Sequence, residues 1–179
     1  MGIDASTKVI AFSIYEGGVP VRWGTYKING ADIYERMLDT NLKAEAILAA
    51  YEVDYVAIEA AVFVNSPDVA VKLAYVYSAT MLALQRAGVK TIAVTPMQWQ
   101  NHLGNGTFKK AEKDALKAEF PGKSVSWYSN KTRLIRKQRT LDYFKNKYGI
   151  EITDDNVGDA LGLAEFATSR LTRVSDVQE

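Results

Sequence analysis

The chain of 179 residues contains no cysteine and only one histidine, His102. Without cysteine it can form no disulfide, no thiolate zinc site and no cysteine nucleophile. A single histidine with no second histidine or cysteine nearby is more often a satisfied polar residue than a metal ligand. No stretch is apolar for long enough to span a bilayer, and the N-terminal residues lack a secretory pattern. We therefore expect an intracellular protein.

Length and composition indicate one globular domain. Apolar residues make up 47% of the chain and charged residues 24%, as in soluble globular proteins. The chain is long enough to bury a sizeable core, and neither an internal repeat nor a low-complexity linker divides it. We expect residues 1–171 to form a single domain and residues 172–179 to form a disordered tail.

The net charge of +1 conceals one strongly basic segment. Residues 109–147 hold twelve Lys or Arg and four Asp or Glu, so this segment carries +8 and the remainder of the chain −7. A solvated helix face is the ordinary explanation of such a run, but a basic segment on an acidic chain also favours an anionic partner. Aromatic residues accompany the charges, as they do in proteins that bind single-stranded or distorted nucleic acid. They are Phe108, Trp127, Tyr128, Tyr143, Phe144 and Tyr148.

Hydrophobic periodicity predicts strands that give way to helices along the chain. The predicted strands cover residues 1–7, 9–15, 19–28, 54–59 and 89–95. The predicted helices cover 31–51, 68–87, 109–120, 131–148 and a last one from about 154 to 170, with a loop at 124–130. Helix 68–87 is apolar nearly all round, which predicts burial on two sides. The second side is either another subunit or the centre of a monomer core.

Four acidic residues stand in apolar surroundings. Asp4 lies within the first strand, and Glu59 ends a buried strand without a polar turn after it. Asp155 and Asp159 are four residues apart, so a helix places both on one face beside residues that pack into the core. Such carboxylates are costly unless a cation lies between them. A turn cap for Asp4, a strand-end charge for Glu59 and an acidic first turn for Asp155 are the structural alternatives.

These acids belong to three short motifs, which are Gly2-Ile3-Asp4, Ala57-Ile58-Glu59 and Asp155-Asn156-Val157-Gly158-Asp159-Ala160. Their order and spacing resemble the RuvC-type Holliday junction resolvases of the RNase H-like nuclease superfamily. Two further stretches, Phe63-Val64-Asn65-Ser66 and Val71-Lys72-Leu73, are similar to the same part of that family. The resemblance covers about residues 1–167. The small size and the extra basic helical insert at about 105–131 look most like a phage-encoded member.

The resemblance implies an α/β protein with the RNase H-like fold, in which helices flank a central mixed five-stranded sheet. It also implies a homodimer packed through helix 68–87 and a branched DNA substrate. The two subunits would place symmetric nicks in a four-way junction. Such an enzyme would work in the cytoplasm, that of the host cell if a phage encodes it.

The resemblance further implies that Asp4, Glu59 and Asp159 are the catalytic carboxylates. The family usually has its fourth acid three residues before the last one, where this chain has Asn156. Asp155, four residues before, is the candidate replacement. Lys137, or its neighbour Arg136, falls where the family carries a basic residue near the site.

Phosphodiester hydrolysis accounts for these residue types independently. Carboxylates from separated segments can hold two divalent ions about 4 Å apart, and hard oxygen ligands favour Mg²⁺, with Mn²⁺ as a substitute. Lys137 would stabilise the developing negative charge. Phe63 is a candidate wedge at the crossover, with ordinary packing as its alternative. The candidate DNA-binding residues are Phe63, Lys109, Lys110, Lys131, Arg133, Arg136 and Arg139.

Other functions share parts of this pattern. Residues 2–7 also look like the first phosphate loop of the actin-like ATPases and sugar kinases, but that class needs two such domains and a second glycine-rich loop. An RNase H-like nuclease acting on RNA–DNA hybrids or flaps would share the carboxylates. A non-catalytic protein that binds branched DNA would keep only the basic surface.

Overall fold

The computed structural model describes residues 1–60 and 66–175, with side chains as far as residue 171. Five strands and six helices follow one another in these two ranges. The strands are β1 (Gly2–Ala5), β2 (Val9–Glu16), β3 (Val19–Lys27), β4 (Tyr55–Glu59) and β5 (Lys90–Val94). The helices are α1 (Ile33–Ala50), α2 (Pro67–Arg86), α3 (Pro96–His102), α4 (Lys110–Glu119), α5 (Val125–Tyr148) and α6 (Asp155–Ser175).

The strands form one mixed sheet in the order β3-β2-β1-β4-β5. The pairs β1–β2 and β2–β3 are antiparallel, whereas β1–β4 and β4–β5 are parallel. The predicted central five-stranded mixed sheet is therefore confirmed. Because β1, β4 and β5 run in parallel, their carboxyl ends meet at one edge of the sheet.

Helices cover both faces of the sheet, so the core has two parts. Ile3, Val56 and Ile58 pack with Ala83 and Leu84 of α2 on one face. Ala57 packs with Trp99 of α3 and with α5 and α6 on the other face. Successive residues of a strand point to opposite faces. Asp4 and Glu59 therefore face the side that α3, α5 and α6 cover.

Helix α6 crosses β1 at very short range, and Gly2 makes this possible. A Cβ atom at Gly2 would lie 2.1 Å from the carbonyl oxygen of Ala160 and 2.9 Å from the amide nitrogen of Ala164. The Ser13 hydroxyl donates a hydrogen bond of 2.8 Å to the same Ala160 carbonyl. These contacts fix α6 against the sheet at Ala160. They thereby also fix the position of Asp159, the residue before it.

Two glycines of α6 play the same part toward its other neighbours. A Cβ atom at Gly158 would meet Leu141 of α5 at 2.9 Å, and one at Gly162 would meet the Trp99 ring at 2.5 Å. Small residues let packed elements approach closely. Helix α6 is consequently held tightly between the sheet, α3 and α5.

Helix α5 is anchored at its C-terminal end by a buried carboxylate. Glu165 of α6 accepts hydrogen bonds from Lys147 at 2.5 Å, from Tyr148 at 2.7 Å and from Tyr143 at 3.3 Å. The Glu165 side chain is only 6% exposed. A buried carboxylate needs such partners, because an unpaired charge is costly in the interior. The network joins the last two turns of α5 to the middle of α6.

The structure corrects the sequence-based boundaries in three places. The predicted loop at 124–130 is wrong, because α5 begins at Val125 and the Ser124 hydroxyl caps it by accepting from the Trp127 amide at 3.2 Å. The short helix α3 was not predicted, although Thr95 and Gln98 form a capping box at its start. Helix α6 continues to Ser175, beyond the end predicted near residue 170. Residues 176–179 lie outside the described residues.

The basic insert expected at about 105–131 contains α4 and the first turns of α5. Helix α2 matches the predicted helix 68–87 to within one residue at each end. In the described part of the chain, none of the helices is both long and apolar enough to cross a membrane.

Candidate active site

Asp4 and Glu59 lie side by side at the carboxyl ends of the central parallel strands. Ile3 of β1 pairs with Ile58 of β4, so the next residues along the two strands, Asp4 and Glu59, are neighbours on the same face. Burial raises the pKa of Asp4 well above its ordinary value, and the charges of Asp159 and Glu59 raise it further. The first strand therefore supplies an acid whose charge other carboxylates disfavour.

Helix α6 supplies the third carboxylate, that of Asp159. Burial raises the pKa of Asp159 to about 7, and the neighbouring charge of Glu59 acts in the same direction. Burial also raises the pKa of Glu59, but a hydrogen bond of 3.1 Å from the Trp99 indole Nε1 to its carboxylate opposes that rise. Three carboxylates from β1, β4 and α6 thus share one partly desolvated region.

The carboxylates form one wall of a cleft with a volume of about 420 Å³. Helix α5 also lines the cleft, with Arg133, Arg136 and Lys137. The remaining lining residues are Ala5, Ser6, Leu73, Pro96, Gln100, Asn105, Thr140 and Asn156. A cleft lined by both carboxylates and cations can hold a divalent cation and the phosphate that it contacts.

At the N-terminus of α6, Asp155 and Asn156 have different surroundings. Asp155, the first residue of the helix, forms a salt bridge with Lys137 and does not line the cleft, whereas Asn156 does. Asp154 caps the helix, because its Oδ1 accepts hydrogen bonds from the amide nitrogen of Asn156 at 2.9 Å and from its Nδ2 at 2.7 Å. Asp155 is therefore paired with a cation of the cleft, and its part as a metal ligand stays a prediction.

Neutral groups hold the Arg136 guanidinium in place. Its Nη2 donates to the Gln100 side-chain oxygen and, at 3.4 Å, to the Asn105 carbonyl. The Asn105 amide in turn donates to the Arg136 carbonyl at 2.6 Å and to the Thr140 hydroxyl at 2.9 Å. Burial lowers the pKa of Arg136 and also that of Lys137. The loop after α3 is thereby fastened to the middle of α5.

The other predicted DNA-binding residues lie away from the cleft lining. Arg139 forms a salt bridge of 2.9 Å with Glu112 and lies over the Phe108 ring, 4.7 Å from its centroid. Lys131 lies 5.5 Å from the centroid of Phe120. Lys109 and Lys110 stand at the start of α4, where Lys109 is the capping residue. Phe63 lies outside the described residues.

Sequence reasoning did not assign the side chains that orient these groups. The sequence patterns single out none of Trp99, Gln100, Asn105 and Thr140. The Trp99 indole is 1% exposed. A buried indole N–H needs a hydrogen-bond partner, and this need is the one physical signal that the sequence offered. The partner, Glu59, is 40 residues away in the chain.

The residues of the cleft fit a hard divalent cation. Among residues 1–60 and 66–175, no three acidic or histidine side chains lie close enough to surround one ion, and Glu59 is turned toward Trp99. The charge of Glu59 nevertheless raises the pKa of both Asp4 and Asp159, and the charge of Asp159 raises that of Asp4, a repulsion that a cation relieves. Oxygen donors of this kind suit Mg²⁺ or Mn²⁺. The buried Asn105 Oδ1, which has no hydrogen-bond partner, is a further oxygen at the same cleft.

Comparison with known proteins gives a family and two structural neighbours. Residues 1–119 match the family model of crossover junction endodeoxyribonuclease RuvC. Thermus thermophilus RuvC, solved in complex with a Holliday junction substrate, aligns with 95% of this chain and 93% of its own, at 17% identity and a TM-score of 0.68. A second structure of Thermus thermophilus RuvC aligns with 96% of this chain and 95% of its own, at 17% identity and a TM-score of 0.64. No curated protein matches the sequence.

Proposed function

The chain belongs to the crossover junction endodeoxyribonuclease RuvC family, and we propose that it resolves four-way DNA junctions as a metal-dependent endonuclease. The observation that carries this proposal is the convergence of Asp4, Glu59 and Asp159 on one cleft that the cations of α5 also line. Phosphodiester hydrolysis requires both features, because the nucleophile and the phosphate that it attacks are each negatively charged.

We infer that Asp4, Glu59 and Asp159 hold two Mg²⁺ ions, for which Mn²⁺ can substitute. When bound, such ions lower the pKa of water and neutralise the leaving oxygen. The side-chain oxygen of Asn156 is the better placed fourth ligand, because Asn156 lines the cleft while Asp155 pairs with Lys137. Trp99 contributes by fixing the orientation of the Glu59 carboxylate through its indole hydrogen bond.

The cations of α5 act on the phosphate. Lys137 is positioned by Asp155, and Arg136 is positioned by Gln100 and Asn105. Their charges face the same cleft as the carboxylates, so they can hold the phosphate oxygens while charge develops in the transition state. Contacts of this kind to the DNA backbone do not distinguish one base sequence from another.

We propose that the enzyme is a homodimer that contacts its second copy through α2 and the adjoining face of α1. Large apolar side chains are exposed on both helices, namely Tyr34, Leu38 and Leu42 on α1 and Val71 and Leu82 on α2. The Tyr34 ring meets Tyr75 of α2 at 5.8 Å between centroids, so the two helices form one continuous surface. Exposed apolar surface of this extent is typical of an interface.

Sedimentation equilibrium tests the dimer. We expect the wild-type protein to sediment at twice the chain mass of 19.8 kDa. Leu82→Glu should shift the protein to the monomer, because dimerisation would bury the new carboxylate at the interface without a partner. Val19→Glu is the matched control, since Val19 on β3 is also 48% exposed but lies outside this surface. A monomeric wild type, or a dimeric Leu82→Glu protein, would contradict the proposal.

A nicking assay on a synthetic immobile four-way junction tests the activity. With Mg²⁺ we expect nicks at symmetric positions on opposing strands, and with chelator we expect none. Asp4→Asn should abolish cleavage while junction binding persists. Asp54→Asn is the matched control, because Asp54 is exposed at the opposite end of β4 and should cleave normally. Equal cutting of plain duplex, or cutting by Asp4→Asn, would remove the assignment.

We further propose that residues 1–171 act as one nuclease domain in which the basic insert binds the DNA. The cytoplasm, or that of a host cell if a phage encodes the chain, is the compartment where such a substrate occurs. Expression of a fluorescent fusion tests this location.

A further inference from the structure

We propose that the groove between α4 and α5 binds an unpaired DNA strand that continues from the catalytic cleft. The inference rests on the proposed nuclease function and adds a second binding site for its substrate. The groove has a volume of about 500 Å³ and is lined by side chains of both helices. Neither Lys113 nor Lys117, its α4 cations, was singled out from the sequence.

The two helices form a hairpin that keeps the groove in one shape. The Tyr128 hydroxyl of α5 donates to the Phe120 carbonyl at the end of α4. The Phe120 ring packs against Trp127 at 5.2 Å between centroids. At the other end, Arg139 of α5 forms its salt bridge with Glu112 of α4. Contacts at both ends fix the spacing between the helices, so the groove is present before a ligand binds.

The charge of the groove has one sign. Lys113 and Lys117 line it from α4, and Arg133 and Arg136 line it from α5, whereas none of its lining residues is acidic. The nearby Glu112 is engaged by Arg139 instead. Among the described residues, no salt bridge involves any of the four cations. Four cations along one groove, none of them in a salt bridge, are complementary to successive phosphates of a nucleic-acid backbone.

Part of the groove lining is apolar, which favours an unpaired strand over a duplex arm. Leu116, Val125 and Tyr128 line the groove together with the cations. Val125 is 86% exposed, an unusual position for a large apolar side chain in a basic surface. Base faces can cover such residues only where the bases are not paired within a duplex.

The groove is continuous with the catalytic cleft. Arg133 and Arg136 line both the cleft and the groove, so one strand could contact them on its way from the carboxylates to α4. Strands at the centre of a branched junction, or in a flap, are the parts of the substrate that are available unpaired. The geometry therefore assigns α4 to the strand that leaves the cleaved phosphate.

Fluorescence anisotropy in chelator tests the proposal without catalysis. The probes are a labelled single-stranded 16-mer, the same sequence as a duplex, and a four-way junction. The test variant is Lys113→Glu/Lys117→Glu, and both lysines are exposed. The control is Arg22→Glu/Lys90→Glu, which changes the net charge equally at exposed positions on β3 and β5, outside the groove.

We expect the test variant to bind the 16-mer roughly tenfold more weakly and its salt dependence, log K against log salt, to flatten by about 1.4, the slope of two single-strand phosphate contacts. Affinity for the duplex should change less than threefold, and the control should match the wild type on every probe. Equal loss on duplex and single strand would overturn the proposal, as would unchanged binding by the test variant. Failure of the wild type to bind the junction at all would instead refute the proposed function.

Discussion

Substitution of Gly2 by alanine tests how closely the packing of α6 controls the active site. The new Cβ atom would lie 2.1 Å from the Ala160 carbonyl oxygen, a contact that side chains essentially never make below 3.0 Å. Both groups belong to backbone that cannot rotate out of the way. The helix must therefore retreat from β1 by about 1 Å or more, which is the difference between those two distances.

The retreat has a cost in stability that can be worked from its parts. Overpacking a well-packed site costs about 1–3 kcal/mol. The hydrogen bond from Ser13 to Ala160 stretches at the same time, and a bond of this kind contributes about 1 kcal/mol. We expect Gly2→Ala to lower the free energy of unfolding by roughly 2–4 kcal/mol, measured by urea denaturation in chelator.

The effect on cleavage should be larger than the effect on stability suggests. Asp159 precedes Ala160 and moves with the helix, whereas Asp4 stays on β1. A misplacement of about 1 Å in a catalytic arrangement can cost on the order of 100-fold in rate. Single-turnover nicking of a four-way junction at a temperature where the variant is fully folded should show this loss.

Gly88→Ala separates the two effects. Gly88 has a φ of +68° after the end of α2, and nothing lies within 4 Å of its Cβ position. Alanine there costs about 1–2 kcal/mol through backbone strain alone and leaves the cleft intact. If Gly2→Ala cleaves as fast as Gly88→Ala, or is as stable as the wild type, the reasoning about α6 is wrong.

Three further predictions concern the cleft. In chelator, the free energy of unfolding should fall as the pH rises from about 4 to about 7. The folded pKa of Asp159 is raised from 3.8 to about 7, so the folded state holds the proton more tightly than the unfolded chain. Urea titrations across this range should show a shallower fall for Asp159→Asn, and an equally steep one would contradict the linkage. Trp99→Phe keeps most of the ring volume but removes the indole donor, so the pKa of Glu59 should rise and the acidic limb of the pH–rate profile should move to higher pH; an unmoved limb would argue against that hydrogen bond. Lys137→Met should slow single-turnover nicking by about 100-fold to 1000-fold while junction affinity by anisotropy changes little, and a parallel loss of both would mark Lys137 as a binding residue only.

The sheet and the position of the acids could be predicted because they depend on short-range patterns. The period of two along β1 and β4 places Asp4 and Glu59 on the same face once Ile3 and Ile58 are buried on the other. Helical periodicity likewise located α2 to within one residue at each end. These patterns are readable because each residue's environment is set by its immediate neighbours.

The remainder depends on contacts between distant residues, which no local pattern contains. The start of α5 was missed although Ser124 is a local N-cap signal, because the packing of Trp127 on Phe120 of the preceding helix, which holds this first turn in place, is not visible in the local pattern. Helical spacing gives the face on which Asp155 stands but not its partner, Lys137, which lies on another helix. In both cases a tertiary interaction supplies what the local pattern lacks.

Helix α5 has 24 residues and is therefore about 36 Å long, and its three parts have different surroundings. One end is fastened by Glu165, the middle borders the carboxylates, and the other end stands over the basic groove. The α5 cations that face the cleft and those that face the groove therefore stand on one helix that is held along its length. The distance along a DNA strand between the phosphate in the cleft and the segment in the groove is then set by the helical rise of α5.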